Sequence, residues 1–93
     1  MQYIRELEAT INDMAQKGRG VLAADESAPT IAKRFKAIDV ESTEENRRFW
    51  RSALVTTAGL GEFISGVILF EETLGQNSDT GKTIPEAAWD DHI

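Results

Sequence analysis

Asp25, Ser27, Thr30, Lys33 and Arg34 fall within one short stretch, Leu22-Ala23-Ala24-Asp25-Glu26-Ser27-Ala28-Pro29-Thr30-Ile31-Ala32-Lys33-Arg34. An acid, two hydroxyls and two cations so close together could hold an anionic, oxygen-rich ligand. The carboxylate would serve charge or proton work. The hydroxyls, beside free N–H groups at a helix start, suit the oxygens of a phosphate, and Lys33 and Arg34 suit its charge. The bland alternative is an Asp/Ser helix cap followed by solvated basic residues, and capping residues are common at helix starts. Spacing alone leaves both readings open.

The elements that must position these residues can be read from the pattern of apolar positions. Tyr3, Ile4, Leu7, Ile11 and Met14 recur at helical steps, so residues 3–16 read as an amphipathic helix stopped by Lys17-Gly18. Gly20-Val21-Leu22-Ala23-Ala24 is a short apolar run that changes abruptly to Asp25-Glu26-Ser27, as a buried strand does at a polar mouth. Ser27, Ala28 and Pro29 lead into a second helix with Ile31, Phe35 and Ile38 on one face. Ser42-Thr43-Glu44-Glu45 fits a capping box with Ser42 as cap, opening a third helix whose apolar side is Phe49, Trp50, Ala53 and Leu54. Ile64-Ser65-Gly66-Val67-Ile68-Leu69-Phe70 is the second strand and also runs into charge, at Glu71-Glu72. Strand, helices, strand is the βαβ order, which sets the strands parallel and puts both polar mouths on the same side. Ligands collect at that carboxyl rim in sheets and barrels alike, and Asp25 stands there. After Leu74 an exposed loop is expected over residues 75–82, followed by a helix beginning at Pro85.

Other motifs read more plainly. Gly75-Gln76-Asn77-Ser78-Asp79-Thr80-Gly81-Lys82-Thr83 resembles a phosphate-cradling P-loop, but one residue too many separates its glycines, and a surface turn explains it better. Arg47, Arg48 and Arg51 follow Glu44 and Glu45 at helical spacing, which predicts solvated ion pairs. Glu71 and Glu72, if on a strand, point to opposite faces, so at most one lines a pocket. His92, next to last, is expected at a frayed terminus.

Composition sets the outer limits. The chain has 93 residues, 41% hydrophobic and 28% charged, ordinary for a globular protein too small to bury a large core. A formal charge of -6, from 16 acidic against 10 basic residues, argues against nucleic acid as a partner. Cysteine is absent, so no disulfide framework or thiolate metal site is expected, in keeping with a cytoplasmic protein. The amino end lacks a signal peptide's apolar core, and the run from Ile64 to Phe70 is too short to span a membrane, so none is expected as a partner.

Three ordered blocks carry a family resemblance: Gly20-Val21-Leu22-Ala23-Ala24-Asp25-Glu26-Ser27, then Thr43-Glu44-Glu45-Asn46-Arg47-Arg48, then Ser65-Gly66-Val67-Ile68-Leu69-Phe70-Glu71-Glu72-Thr73-Leu74. Together they resemble the start of class I fructose-1,6-bisphosphate aldolases, and the similarity runs on through Gly81-Lys82-Thr83-Ile84-Pro85-Glu86. The resemblance implies an α/β fold, the opening βαβ portion of a (β/α)8 TIM barrel preceded by the amphipathic helix, with the barrel incomplete. It also implies a lyase of glycolysis and gluconeogenesis that cleaves fructose-1,6-bisphosphate to dihydroxyacetone phosphate and glyceraldehyde-3-phosphate through a lysine Schiff base. The protonated imine is the electron sink, so neither metal nor other cofactor is expected.

By the same resemblance Asp25 is a catalytic aspartate that orients and assists the imine lysine, while Ser27, Thr30, Lys33 and Arg34 line the substrate's phosphate region. Thr30 stands where serine is common, Ala28 where threonine is common and Pro29 where glycine is common, so the loop's fine geometry differs from the family's. The imine lysine, the proton-shuttling glutamate and a further active-site lysine come from later strands of the family. An imine lysine must shed its proton, which takes an apolar pocket or a neighbouring cation, and Lys17, Lys33, Lys36 and Lys82 lie off the strands. Residues 1–88 are therefore read as the first part of an aldolase barrel and residues 89–93, Trp89-Asp90-Asp91-His92-Ile93, as a tail outside the family pattern. A chain of this length is expected to be inactive alone. It would aggregate, pair with a complementary fragment, or dock on another protein, although full-length family members are homo-oligomeric.

Overall fold

The computed structural model describes residues 2–93. Helix α1 (Gln2–Met14) precedes strand β1 (Gly20–Ala24), helices α2 (Ala28–Lys36) and α3 (Glu44–Val55), a 3-10 turn at Leu60–Glu62, strand β2 (Ile64–Leu69), the short helix α4 (Glu71–Leu74) and helix α5 (Ile84–Asp90). The strands pair in parallel, Leu22 opposite Val67 and Ala24 opposite Leu69. This is the expected βαβ unit, and its two polar exits lie at one rim. The register shifts between Gly20, opposite Ile64, and Val21, opposite Gly66, at the start of the sheet.

Alternation along the strands sorts the two faces of the sheet. Val67 and Leu69 pack on a core of Val55, Ile84, Ala87 and Ala88, with Ile93 closing over it. Val21 and Ile68 remain exposed, so neither strand is buried on both faces as its apolar run implies. A two-stranded sheet whose other face meets only the end of α1 can cover no more than that. Gly66 lies under the end of α1, where an added Cβ would sit 3.3 Å from Met14 Cε. Ser65 Oγ donates to the Met14 carbonyl at the same place.

Several helix details depart from the sequence reading. No residue of α1 is buried, and Ile4, Leu7 and Ile11 of its apolar stripe are exposed. In α2, Ile31 and Phe35 are buried as expected, whereas Ile38 lies beyond the helix end and is 66% exposed. Helix α3 starts one residue later than expected, because Thr43 and not Ser42 is its cap, accepting from the Asn46 N–H at 3.1 Å. A complete capping box does occur, but at Thr83 and Glu86, where it opens α5. The largest correction concerns the face of α3. Phe49, Trp50 and Ala53 look outward, and the buried positions are Arg51, Ser52 and Val55. Trp50 still meets Phe35 edge to face, with ring centroids 6.3 Å apart. Periodicity located this helix, but the side it turns inward is the one carrying charge.

Candidate active site

The site forms where β1 and β2 end. Asp25 leaves β1 at the carboxyl rim, and because Ala24 pairs with Leu69, the exit of β2 at Phe70 to Glu72 lies beside it. Asp25 is exposed, and no described residue pairs with its carboxylate. Extended backbone at Ser27 turns the chain into α2, whose first turn closes when the Ile31 N–H donates to the Ser27 carbonyl at 2.9 Å. Ser27 therefore occupies the cap position. Its hydroxyl, however, donates to Thr30 Oγ1 at 3.1 Å and caps no backbone N–H. Pro29 fits this first turn because its fixed φ is helical and its missing N–H would have no partner there.

Lys33 and Arg34 ride on α2 and are exposed. Arg34 Nε lies 3.7 Å from Glu26 Oε2, which draws the guanidinium back toward the strand end. The structure thus gathers the Ser27 and Thr30 hydroxyls into one pair and holds Arg34 at the exit of β1. Asp25 and Lys33 stand without partners and open to solvent.

Behind this mouth lies a network that sequence reasoning missed. Glu71 and Glu72 are not on a strand, because β2 stops at Leu69 and the chain turns into α4. The helical turn swings Glu72 inward to Arg47, which holds it with Nε to Oε1 at 2.8 Å and Nη2 to Oε2 at 3.0 Å. Hydrogen bonding from Arg47 drives the Glu72 pKa below the usual carboxylate range and raises that of Arg47. Arg47 also donates from Nη1 to the Ser42 carbonyl at 2.8 Å. Arg51, read as a solvated partner for the helix glutamates, is fully buried and donates to the Glu26 carbonyl at 2.8 Å. Only Arg48 behaves as the spacing suggests, bonding Glu45 three residues earlier. It also reaches Asp79, 2.9 Å away, and donates to the Asn77 carbonyl. The signal that could have found the network is the arginine spacing itself: Arg47 and Arg51 lie one turn apart, on the face opposite Phe49 and Ala53.

The 75–82 loop is not wholly exposed either. Gln76 and Ser78 are buried, Asn77 bridges Thr83 in antiparallel fashion, and the Ser78 N–H donates to the Lys82 carbonyl at 2.7 Å. That is a tight turn docked on α3 and not a phosphate cradle. Lys82 pairs with Asp90, and Lys17 and Lys36 are exposed, so every lysine lies off the strands, as read. His92 is likewise less free than a frayed end implies, since its carbonyl accepts from Arg19 Nη2 at 2.6 Å. No group of acids, histidines or cysteines among the described residues is arranged to hold a metal ion. Among the described residues no helix is long and apolar enough to cross a membrane.

Comparison with known proteins gives this geometry its context. A family model described as glycolytic, fructose-bisphosphate aldolase class-I, matches residues 6–93 and so runs on through residues 89–93. The chain is 51% identical over 92 residues to fructose-bisphosphate aldolase 1, chloroplastic, of Chlamydomonas reinhardtii, covering 99% of this chain and 24% of the relative. It is 56% identical over 80 residues to fructose-bisphosphate aldolase 1 of Toxoplasma gondii, covering 86% of this chain and 22% of the relative. Among solved structures, fructose-bisphosphate aldolase from Plasmodium falciparum, crystallised with TRAP and a small-molecule inhibitor, superposes with a TM-score of 0.93 at 47% identity, over 99% of this chain and 26% of that one. The chain therefore spans about a quarter of the length of the relatives it matches. Strand order, the polar rim and these matches agree that the chain belongs to the class I fructose-bisphosphate aldolase family and folds as part of its barrel.

Proposed function

We propose that these residues form the first-strand, phosphate-gripping part of an aldolase active site acting on fructose-1,6-bisphosphate. Ser27 and Thr30 offer hydroxyls, Lys33 and Arg34 offer charge, and the start of α2 offers free N–H groups to one phosphate of the sugar. Asp25 faces the reacting carbons and steadies a positively charged imine. That imine forms when a lysine amine adds to the substrate's C2 carbonyl and water leaves. The C3–C4 bond then breaks as its electron pair flows into the imine and the C4 hydroxyl loses its proton. The amine must come from elsewhere in an aldolase chain, because each lysine here is on a helix, in a turn or paired with an acid. On this reading the polypeptide of 93 residues binds sugar phosphate without cleaving it. Glycolysis and gluconeogenesis in the cytoplasm remain the setting we favour, on the cysteine-free composition, although several relatives are named chloroplastic. Homo-oligomerisation belongs to the same proposal.

The observation that supports this reading most is the parallel register, which sets Asp25 and the exit of β2 at one rim beside the Ser27–Thr30 hydroxyl pair. Trp50 touches Phe35 on α2, so its fluorescence should report ligand at that helix. Titration with fructose-1,6-bisphosphate in a Trp89→Phe background is expected to saturate, and Arg34→Ala should weaken binding about tenfold through loss of a charge-assisted contact. Unaltered binding in both Arg34→Ala and Lys33→Ala would count against the site. Borohydride reduction in the presence of substrate should trap no adduct, and a trapped one would show that a competent lysine exists here after all.

A second reading is favoured by the exposure of Ile4, Leu7 and Ile11 on α1: the chain docks that helix on another protein, aldolase subunits included. Size-exclusion chromatography separates the cases. A monodisperse complex supports docking, and soluble aggregate does not.

A further inference from the structure

Arg51 is the largest fully buried side chain among the described residues, and it lies directly behind the mouth. Its Nη2 donates to the Glu26 carbonyl at 2.8 Å, within the peptide group that follows Asp25 by one residue and leads into Ser27. The guanidinium carbon lies 5.4 Å from the centroid of Phe70, the residue that ends β2. Nη1 is 3.9 Å from Oε1 of Glu72, whose carboxylate Arg47 already holds. One side chain thus touches what leaves both strands.

This arrangement is a poor way to stabilise a core. Arg51 Nε and Nη1 have no hydrogen-bond partner, and Glu26 Oε1 nearby has none either. Buried polar atoms left unpaired cost free energy, and an apolar residue of similar volume in such a place is often neutral or stabilising. What an apolar residue lacks is direction. A planar guanidinium can stack on an aromatic ring while donating in its own plane to a carbonyl, which neither a methionine nor a lysine can do.

We infer that Arg51 is a positioning residue for Asp25: it ties the Glu26–Ser27 peptide to Phe70 and Glu72, so that the carboxylate leaving β1 keeps a fixed placement against the exit of β2. The inference rests on the proposed site only for its ligand arm, since the tie itself is independent of any ligand.

Amide hydrogen exchange on the full chain, with Arg51→Met and Arg51→Lys beside wild type, tests the tie. In Arg51→Met the melting midpoint should hold or rise, and core amides such as Val55 and Ala88 should keep their protection. The buried Ile31 amide, which donates to the Ser27 carbonyl at 2.9 Å, should exchange about tenfold faster, because the charge-assisted bond that orders the peptide just before that turn is gone. Arg51→Lys should not restore it. Equal acceleration everywhere, or unaltered exchange at Ile31, would overturn the inference and leave Arg51 merely structural. Should either variant fail to fold, wild type alone decides: a guanidinium fixed through its Nη2 bond cannot rotate freely and gives separate Nη–H signals, and a single averaged line contradicts the tie. In the ligand arm both variants should weaken fructose-1,6-bisphosphate binding. If wild type binds no sugar phosphate, the site reading falls while the exchange result still stands or fails by itself.

Discussion

Arg47 holds Glu72 with two parallel hydrogen bonds, 2.8 Å from Nε to Oε1 and 3.0 Å from Nη2 to Oε2, across a separation of 25 residues in sequence. The pair joins the first half of α3 to α4, the turn that ends β2, and so fixes where the second strand delivers its chain. Both side chains are about three-quarters buried, so solvent screens the pair only in part. Arg47→Ala and Glu72→Gln should each lower stability by about 1–2 kcal/mol. In a double-mutant cycle the two losses should fail to add, with a coupling near 1 kcal/mol. Urea unfolding followed by far-ultraviolet circular dichroism gives all three numbers. Additive losses would mean that the two side chains act separately.

The same pair sets an acid limit. Arg47 lowers the Glu72 pKa in the folded chain. A carboxyl whose folded pKa is depressed contributes stability that is fully present above its unfolded pKa, about 4.3, and fades as pH falls through the folded value. Stability should therefore be flat near neutrality and fall below about pH 4, with a shallower fall in Glu72→Gln. Melting midpoints across that range measure it, and identical acid curves for the two proteins would remove Glu72 as a source.

How much of this was legible beforehand depends on what fixed each feature. The strands, their parallel order and the rim at Asp25 follow from apolar runs that end in charge, a pattern set by neighbours along the chain. Pro85 in the first turn of α5 was legible for the same local reason. The arginine network was not. Glu72 and Arg51 read as solvated because charge near charge usually is, and only the turn into α4 and the packing of α3 against the strand ends bring them inward. The outward face of α3 misleads for a related cause. Phe49 and Trp50 are the largest apolar residues of that helix, yet Val55 is the one that meets the sheet, while Arg51 meets the strand exits at Phe70 and Glu26. Of the candidate site, the residue types and their rim were readable, whereas the hydroxyl pair and the tether of Arg34 to Glu26 needed coordinates.

Ile84 tests the core. It is completely buried among Val55, Ala87 and Ala88, and its N–H donates to the Gln76 carbonyl at 3.0 Å. Ile84→Ala leaves that bond intact and removes the packing, which should cost about 2–4 kcal/mol. A chain this small has little reserve, so loss of the cooperative transition at 25 °C is the expected outcome. A variant that melts like wild type would mean that this cluster is not where the stability resides.

Pro29 tests the α2 entry without touching the ligand groups. Its ring restrains the unfolded chain and already fits the helical first turn. Pro29→Gly should lower stability by about 1 kcal/mol, while the hydroxyl pair of Ser27 and Thr30 remains available. Denaturant midpoints report the loss. A gain in stability would mean that proline strains this loop, and that the glycine expected there by family resemblance suits it better.

Gly61 is the sharpest steric test of the final turn. A Cβ added there would stand 2.0 Å from the Asp91 carbonyl oxygen and 2.8 Å from His92 Cβ, far inside contact distance. Backbone cannot yield as a flexible side chain can, so Gly61→Ala must push residues 91–93 away and lift Ile93 off the core it covers. Overpacking of this kind costs about 1–3 kcal/mol. Deleting residues 91–93 removes the atoms that clash. Gly61→Ala in the shortened chain should then add almost nothing to the cost of the deletion, a non-additivity that isolates the contact. Equal penalties in the long and short chains would place the damage in the Leu60–Glu62 turn itself.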